Sequence, residues 1–425
     1  MNKLTSKFYL VGIKGNGMSA LAGILYDLGY EVVGSDNENY YYTEKNLNKI
    51  KCLKFDVNNI TKDYFYIISN AYDEKNIEVN EIIKFQYMYM YYSEFIEYFF
   101  KGIKIGISGT HGKTTTTSIC SKFLEDEKIC ALIGDGTGIG NCDYKYVIFE
   151  ACEYKNNFHK YTYDYLIINN IDYDHVDFFE KIDDVVDSFQ KASEKAKCVI
   201  VNNDDENGRK IKHNNKITFG KSYDSDYVIT NIKTYSNGFT LDIVSNNSFD
   251  TLKIPLLGMH NVYNVIAGYV LIKTLNLDID INKKLKTYKL PKRRMTEYKY
   301  KNNIIIDDYA HHPNEIKALL NAVKQKYKED IIVIFQPHTY SRTITLKDSF
   351  LKVFDDVELF LCKTYSSVRE NNNLEKDKDI NKIFPKAKEY NNSTLEYLRN
   401  IENKVIIFLG AGVVNDDINK LIKEK

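Results

Sequence analysis

Residues 106–117 read Gly106-Ile107-Ser108-Gly109-Thr110-His111-Gly112-Lys113-Thr114-Thr115-Thr116-Thr117, and the fold turns on them. An apolar run, Gly102 to Ile105, leads in, and a helix-compatible segment, Ser118 to Leu124, leads out. A strand that becomes a helix through a glycine-rich turn is an anion cradle. Successive backbone N–H groups and the positive helix end hold a phosphate, a lysine adds a point charge, and the next hydroxyl can take Mg²⁺. The common P-loop pattern has its outer glycine where this chain has Ile107, so the loop is a variant, GTHGKTT. A plain glycine turn with a surface lysine is the bland alternative.

Toward the N-terminus, Lys7 to Ile13 reads as a buried strand and Gly12 to Ser19 (GIKGNGMS) as a tight turn. A helix toward Gly29 and a second strand, Glu31 to Asp36, follow. This is a Rossmann-like start, in which glycines admit a diphosphate and the terminal acid reaches a ribose or base. The glycine order, G-x-x-G-x-G, leaves three readings open: NAD(P), another diphosphate-bearing nucleotide, or a structural turn. Ile67 to Ala71 is a further strand end, and the unit gives way to the next between Phe99 and Gly102.

Beyond the loop, Tyr146 to Glu150, Tyr165 to His175 and Cys198 to Asp204 are strands ending in polar residues. Ligands of open parallel sheets collect at the carboxyl ends of strands, which places Glu150, Asp174 and His175 together. Tyr227 to Leu257 alternates, with turns at Ser236-Asn237-Gly238 and Asn246-Asn247-Ser248, and predicts a small antiparallel meander. Gly258 to Asn264 enters an apolar helix, and Leu290 to Arg294 marks a boundary. A third α/β unit carries Ile304 to Pro313, Ile331 to His338 and Val405 to Gly412 as strands running into loops. The predicted class is α/β with three domains. Residues 1–102 form a Rossmann-like domain, 103–293 a P-loop domain with the antiparallel addition, and 294–425 a second Rossmann-like domain. The stretch from Asn371 to Asn392 is rich in lysine and asparagine and is expected to be exposed.

Composition excludes several classes. Apolar residues make up 44% and charged ones 27%, as in soluble globular proteins, and 425 residues exceed one ordinary core. A formal net charge of zero gives no electrostatic case for nucleic acid. Seven cysteines without a Cys-x-x-Cys pair argue for a reducing, cytoplasmic setting and against a zinc ribbon. Lys14 and the glycines after it interrupt the first apolar stretch, and no run is long enough to insert into a membrane.

If the loop holds a nucleoside triphosphate, Lys113 neutralises its phosphates, Thr114 offers a hydroxyl to Mg²⁺, and Glu150 is the carboxylate best placed for that metal. Taken alone, His175 reads as a core histidine, because hard cations prefer oxygen. His311 and His312 stand between an ordered loop and a catalytic pair. Arg293 and Arg294 stand between a solvated basic step and an anion contact, and Arg342 between a carboxylate held bidentately and an exposed acid.

Eight stretches in order then carry a resemblance: GIKGNGMS, GTHGKTTTT, EACEY from Glu150, NIDYDHVD from Asn170, GMHNVYN from Gly258, KRR from Lys292, DDYAHHP from Asp307 and FQPHTYSRT from Phe335. Together they resemble the Mur ligases over nearly the whole chain. The resemblance implies ATP and Mg²⁺, with Gly109, Thr110, His111, Gly112, Lys113, Thr114 and Thr115 around the phosphates. It raises His175 to a metal ligand beside Thr114 and Glu150. It implies Asn261 and Asn264 at the adenosine, and Arg294 and Asp308 completing the nucleotide site, with Arg293 a possible companion. Gly15, Asn16, Gly17, Met18, Ser19, Ser35 and Asp36 would hold the UDP end of a sugar nucleotide. His312, His338 and Arg342 would lie on the substrate side, Arg342 at the incoming amino acid's carboxylate.

Within the family, FEACEY, DDYAHHP and FQPHTYSRT point at the member that joins L-alanine to UDP-N-acetylmuramate through an acyl phosphate, as a monomer or homodimer without nucleic acid. The alternative is a recycling ligase that attaches a ready-made peptide to the same sugar nucleotide. A nucleotide sensor without turnover would be expected to lose Lys113, Glu150 or His175, and a dehydrogenase would use the first domain for NADH. Two departures stand out: Val413 where relatives carry an aspartate after Gly-Ala-Gly, and Asn70 where they carry a second serine.

Overall fold

The computed structural model describes residues 6–246, 248–365 and 374–422. Asn247 of the predicted turn and Asn371 to Asn373 lie outside the described residues. Three sheets follow one another along the chain, with helices packed on them. The first has five parallel strands in the order 51–54, 31–36, 7–11, 65–68, 89–91. Its strand order reverses at Lys7–Val11, so the crevice that such sheets offer to ligands opens where Gly12 to Gly15 turn into the helix Asn16–Asp27.

The second sheet has ten strands. The P-loop strand, Ile103–Ser108, lies between Tyr163–Ile168 and Tyr146–Glu150, parallel to both. It is apolar from Ile105 on because helices cover both faces of such a sheet. The antiparallel addition is Tyr227–Tyr235, Gly238–Val244 and Phe249–Ile254, the meander expected from the alternation. At the opposite edge Gly138–Ile139 pairs antiparallel with Ile129–Leu132.

In the third sheet, Asn303–Asp308, Lys404–Leu409, Asp330–Phe335, Glu358–Leu361 and Lys388–Glu389 are parallel. The hairpin partner Thr296–Tyr300 joins antiparallel at the edge. Only Tyr300 of that edge strand is buried, so no apolar pattern announces it. Two apolar clusters within this domain, one including Ile306 and Val333 and the other Ile305 and Ile332, reflect side chains alternating along its strands.

Candidate active site

At the end of the P-loop strand the chain turns through Gly109 to Gly112 into the helix Lys113–Phe123. Gly112 has φ +82°, and a Cβ there would run into the Asn264 amide, so glycine satisfies both the turn and the close approach. The Lys113 ammonium folds back over the loop and donates to the carbonyls of Gly109 at 2.5 Å and Thr110 at 3.1 Å. Glu153 stands 3.0 Å from it. Burial works against the lysine's charge, but Glu153 and then Cys152 outweigh it and raise the pKa. Burial likewise opposes the Glu153 carboxylate, yet Lys113 and His175 pull its pKa down to about 2. His175 Nε2 lies 3.2 Å from Glu153 Oε1 and is presented from a left-handed backbone, φ +52°, rare for a side chain of this kind.

The expected metal set is Thr114, Glu150 and His175. Glu150 accepts a 2.6 Å hydrogen bond from the Gly134 amide. Burial raises its pKa, opposed first by the Thr114 hydroxyl and then by Lys113. Thr114 and Glu150 are thus neighbours, whereas Glu153 is the carboxylate against His175. Oxygen donors from Thr114, Glu150 and Glu153 around one lysine fit a magnesium-bound phosphate. Strand periodicity ends at Glu150, so nothing in that pattern singles out Glu153, which stands just before the 3₁₀ turns of 154–160.

Next to the loop lies a cavity of about 230 Å³ between the central and third domains. His111, Gly112 and Thr115 line one side, Asn261 and Asn264 the floor, and Arg294 with Asp308 the third-domain side. Gly109 and Thr110 do not reach it. Gly109 packs on Asn169 and Asn170, and the Thr110 amide donates to the Asn170 carbonyl at 3.0 Å. Asn261 holds the Leu257 carbonyl at 2.9 Å, and Asn264 takes the Thr116 hydroxyl at 3.2 Å. Asp308 accepts from the Met295 and Ala310 amides at 2.7 and 2.8 Å, which fixes the turn carrying Arg294. Arg293 points elsewhere. It donates to the carbonyls of Gly410 at 2.5 Å and Gly412 at 3.0 Å and stacks 5.1 Å from the Tyr309 ring, so its role is to hold the third domain's last loop.

His111 sits between Asp172 at 3.1 Å and Glu315 at 3.3 Å. Burial opposes its charge, but the two acids beside it raise its pKa to about 10. His311 and His312 are driven the other way, to about 4, chiefly by burial and then, for His312, by charged His111. His312 Nδ1 accepts from the Asn314 amide at 3.3 Å and caps the helix Pro313–Lys326, while its Nε2 is buried without a hydrogen-bond partner. Glu315 escaped notice, although Pro313 followed by an acid at the third helical position is a helix-start signature.

A larger cleft of about 640 Å³ opens where the three domains meet. Gly15 and Asn16 enter it from the first domain, Tyr154 and Asn157 from the central, and Tyr309 and His338 from the third. Several residues expected at substrate have other engagements. Met18 and Ser19 are buried, and Ser19 Oγ donates to the Gly136 carbonyl at 3.2 Å, so both belong to a domain seam. A Cβ on Gly17 would meet the Tyr92 ring. Ser35 is buried against Glu78, and Asp36, in a separate groove with Lys54 and Phe55, takes the Lys14 amide at 2.8 Å. Arg342 holds Asp174 bidentately at 2.8 and 3.2 Å, and its Nη1 lies 2.8 Å from His338 Nδ1. Both members of that pair are buried, so Arg342 binds an acid of the neighbouring domain where a substrate carboxylate was expected.

A phosphate loop faced by buried carboxylates at the junction of three α/β domains defines a P-loop nucleotide-binding protein. Family models match in series: "Mur ligase family, catalytic domain" over residues 7–102, "Mur ligase middle domain" over 107–272, and "Mur ligase, glutamate ligase domain" over 293–412. The chain belongs to the Mur ligase family, ATP-dependent ligases of peptidoglycan precursor synthesis. Among solved structures it resembles UDP-N-acetylmuramate-alanine ligase MurC of Thermotoga maritima, with 24% identity, TM-score 0.81 and 98% of each chain covered. A murein peptide ligase of Psychrobacter arcticus matches with 17% identity, TM-score 0.72 and 98% of each chain. A pseudomurein peptide ligase type C of Methanothermus fervidus matches with 19% identity and TM-score 0.61, over 98% of this chain and 99% of that one. At these identities the likeness is one of fold. No described helix is long and apolar enough to cross a membrane.

Proposed function

We propose that this protein joins L-alanine to the lactyl carboxylate of UDP-N-acetylmuramate, converting ATP to ADP and phosphate. The observation that carries the reading is the Lys113 ammonium held between the loop carbonyls and Glu153 beside the three-domain cleft. Glu153 occupies the lysine as a phosphate would, and the lysine can pass from one anion to the other. The nucleotide fits the cavity of His111, Asn261, Asn264 and Arg294, and the sugar nucleotide the larger cleft.

Phosphoryl transfer to the lactyl carboxylate makes an acyl phosphate. The amine of alanine attacks its carbonyl, the C–N bond forms, and phosphate leaves with the C–O bonding pair. Mg²⁺, when bound, would neutralise charge on the transferring phosphoryl group. Thr114, Glu150 and Glu153 are the residues to hold it, His175 being braced against Glu153. Lys113 and Arg294 supply fixed positive charge, and the closed third domain excludes water that would hydrolyse the acyl phosphate. No protein nucleophile is required.

Phosphate release with UDP-N-acetylmuramate plus L-alanine, glycine, L-serine or a tripeptide tests the reading. Turnover should be fastest with L-alanine, and turnover with the tripeptide alone would assign the recycling reaction instead. Lys113→Ala should abolish release with the fold intact, and more than a few per cent of wild-type rate would remove the lysine from its role.

A further inference from the structure

Cys152 belongs to none of the roles above, yet it stands beside the lysine and its acid. Its Sγ, a Glu153 carboxylate oxygen and a His175 ring nitrogen all lie within 4.8 Å of one another. We propose that these three residues form a site for a thiophilic divalent cation of the zinc, cobalt or cadmium type. The inference concerns ion binding alone and stands whichever amino acid the protein ligates.

The donor set decides the class of ion. Magnesium takes hard oxygen ligands and avoids sulfur, whereas one thiolate, one imidazole and one carboxylate suit zinc and its analogues. Such an ion holds its donors at about 2.0–2.3 Å, so tetrahedral donors stand about 3.3–3.8 Å apart. The histidine–carboxylate distance, 3.2 Å, is already close to that range, and the thiol sulfur lies within 4.8 Å of both donors. The backbone carrying it is fixed, because the Cys152 carbonyl accepts from the Phe158 amide at 3.0 Å. Glu153 is buried, while Cys152 and His175 are partly exposed, which leaves an entry path and a fourth position for water. Binding would exchange the thiol proton for the metal and release that proton to solvent.

A cation already stands at this place. The Lys113 ammonium, 3.0 Å from Glu153, competes for the same carboxylate. Ion binding and the lysine–glutamate pair therefore exclude each other, and removing the lysine should tighten the site.

Titration of the full chain with Co²⁺, without nucleotide, tests this. A thiolate-to-cobalt charge-transfer absorption should appear at one ion per chain. It should vanish in Cys152→Ser, weaken by about tenfold or more in His175→Ala, and form at lower concentration in Lys113→Ala. It should survive the combined Cys52→Ser and Cys142→Ser change, since those are the exposed thiols. In the unaltered protein, Zn²⁺ should protect Cys152 from iodoacetamide, read by mass spectrometry, while Cys52 and Cys142 remain reactive. This second measurement needs no variant to fold. Absence of the absorption, its persistence in folded Cys152→Ser, or alkylation of Cys152 unaffected by zinc would each overturn the site. None of these outcomes bears on phosphate release, which tests the ligase reading separately.

Discussion

The two seams that join the domains are built from different materials. Between the first and central domains the apolar core runs straight through: Phe8, Leu10 and Leu21 share one cluster with Phe149, Leu166 and Ile168. The short hairpin around Gly138 lies so close on the helix Asn16–Asp27 that a Cβ at Gly138 would strike the Ala20 carbonyl. Between the central and third domains no apolar core cluster among the described residues is shared. Contact there runs through Arg342 with Asp174, Asn314 with Asp172 at 2.9 Å, His111 with Glu315, and the Gly258 amide with Gln325 at 3.1 Å. Apolar burial is non-directional and fixes the first seam in one arrangement. Buried ion pairs nearly break even against their desolvation, so the second seam can exchange its partners for a ligand's charges at little net cost. On the proposed reading, the domain held by ions is the one that closes over the nucleotide.

The largest effect should come from cutting one ion pair. Asp174→Ala leaves the Arg342 guanidinium buried without its counter-charge, a change that costs about 3–5 kcal/mol. The cost should fall on closure, because each domain keeps its own core. Small-angle scattering should then show a larger radius of gyration, with ligation lost and the central domain's melting little changed. An unaltered radius would mean that the second seam has support beyond its ions.

The apolar seam should respond in the opposite way. Gly138→Val drives a branched side chain into the helix backbone, an overpacking that costs about 1–3 kcal/mol. Thermal melting should drop while the radius of the folded protein stays the same. A larger radius with an unchanged melting temperature would make the first seam as loose as the second.

This contrast also explains which parts were legible in the sequence. GIKGNGMS, GTHGKTT and the strands leading into them announce themselves because turn glycines and apolar runs are local signals. The motifs GTHGKTT, GMHNVYN and KRR span few positions and bring His111, Gly112, Thr115, Asn261, Asn264 and Arg294 to the cavity beside the loop, whereas Glu315, which also lines it, lies outside them. Pairings across the ionic seam are different in kind: Arg342 and Asp174 are 168 residues apart, and nothing local in either segment names the other. The residues alone leave the partner of Arg342 open, and the family resemblance assigns it the incoming amino acid's carboxylate, whereas it pairs with Asp174. The family resemblance places Met18, Ser19 and Ser35 at the UDP end of the ligand, whereas Met18 is buried in the core, Ser19 donates to the Gly136 carbonyl and Ser35 bonds Glu78. Glu153, which joins Glu150 beside Lys113, is illegible for a smaller reason, a turn just past the strand end that sequence periodicity does not see.

The finest test of the comparison is pH, where only the ionic seam should answer in the neutral range. His111, raised to about 10, stabilises the closed arrangement fully below about 6.5, its ordinary value. That contribution is lost progressively as pH rises toward 10, at no more than about 1.4 kcal/mol per pH unit. His311 and His312, lowered to about 4, act with the opposite sign. They cost nothing above about 6.5 and penalise closure increasingly as pH falls toward 4, since opening lets them take up protons. Glu153, held at about 2 by Lys113 and His175 of its own domain, takes no part in this seam. The seam should therefore be tightest near pH 6.5 and loosen on both sides. The radius of gyration across pH 5 to 9 should pass through a minimum there in the native protein. With His111→Gln the alkaline arm should flatten and the acid arm remain but shrink, because burial still lowers His311 and His312 while His312 loses the part of its shift that charged His111 supplies. A flat profile in the native protein would show that these histidines do not couple to closure.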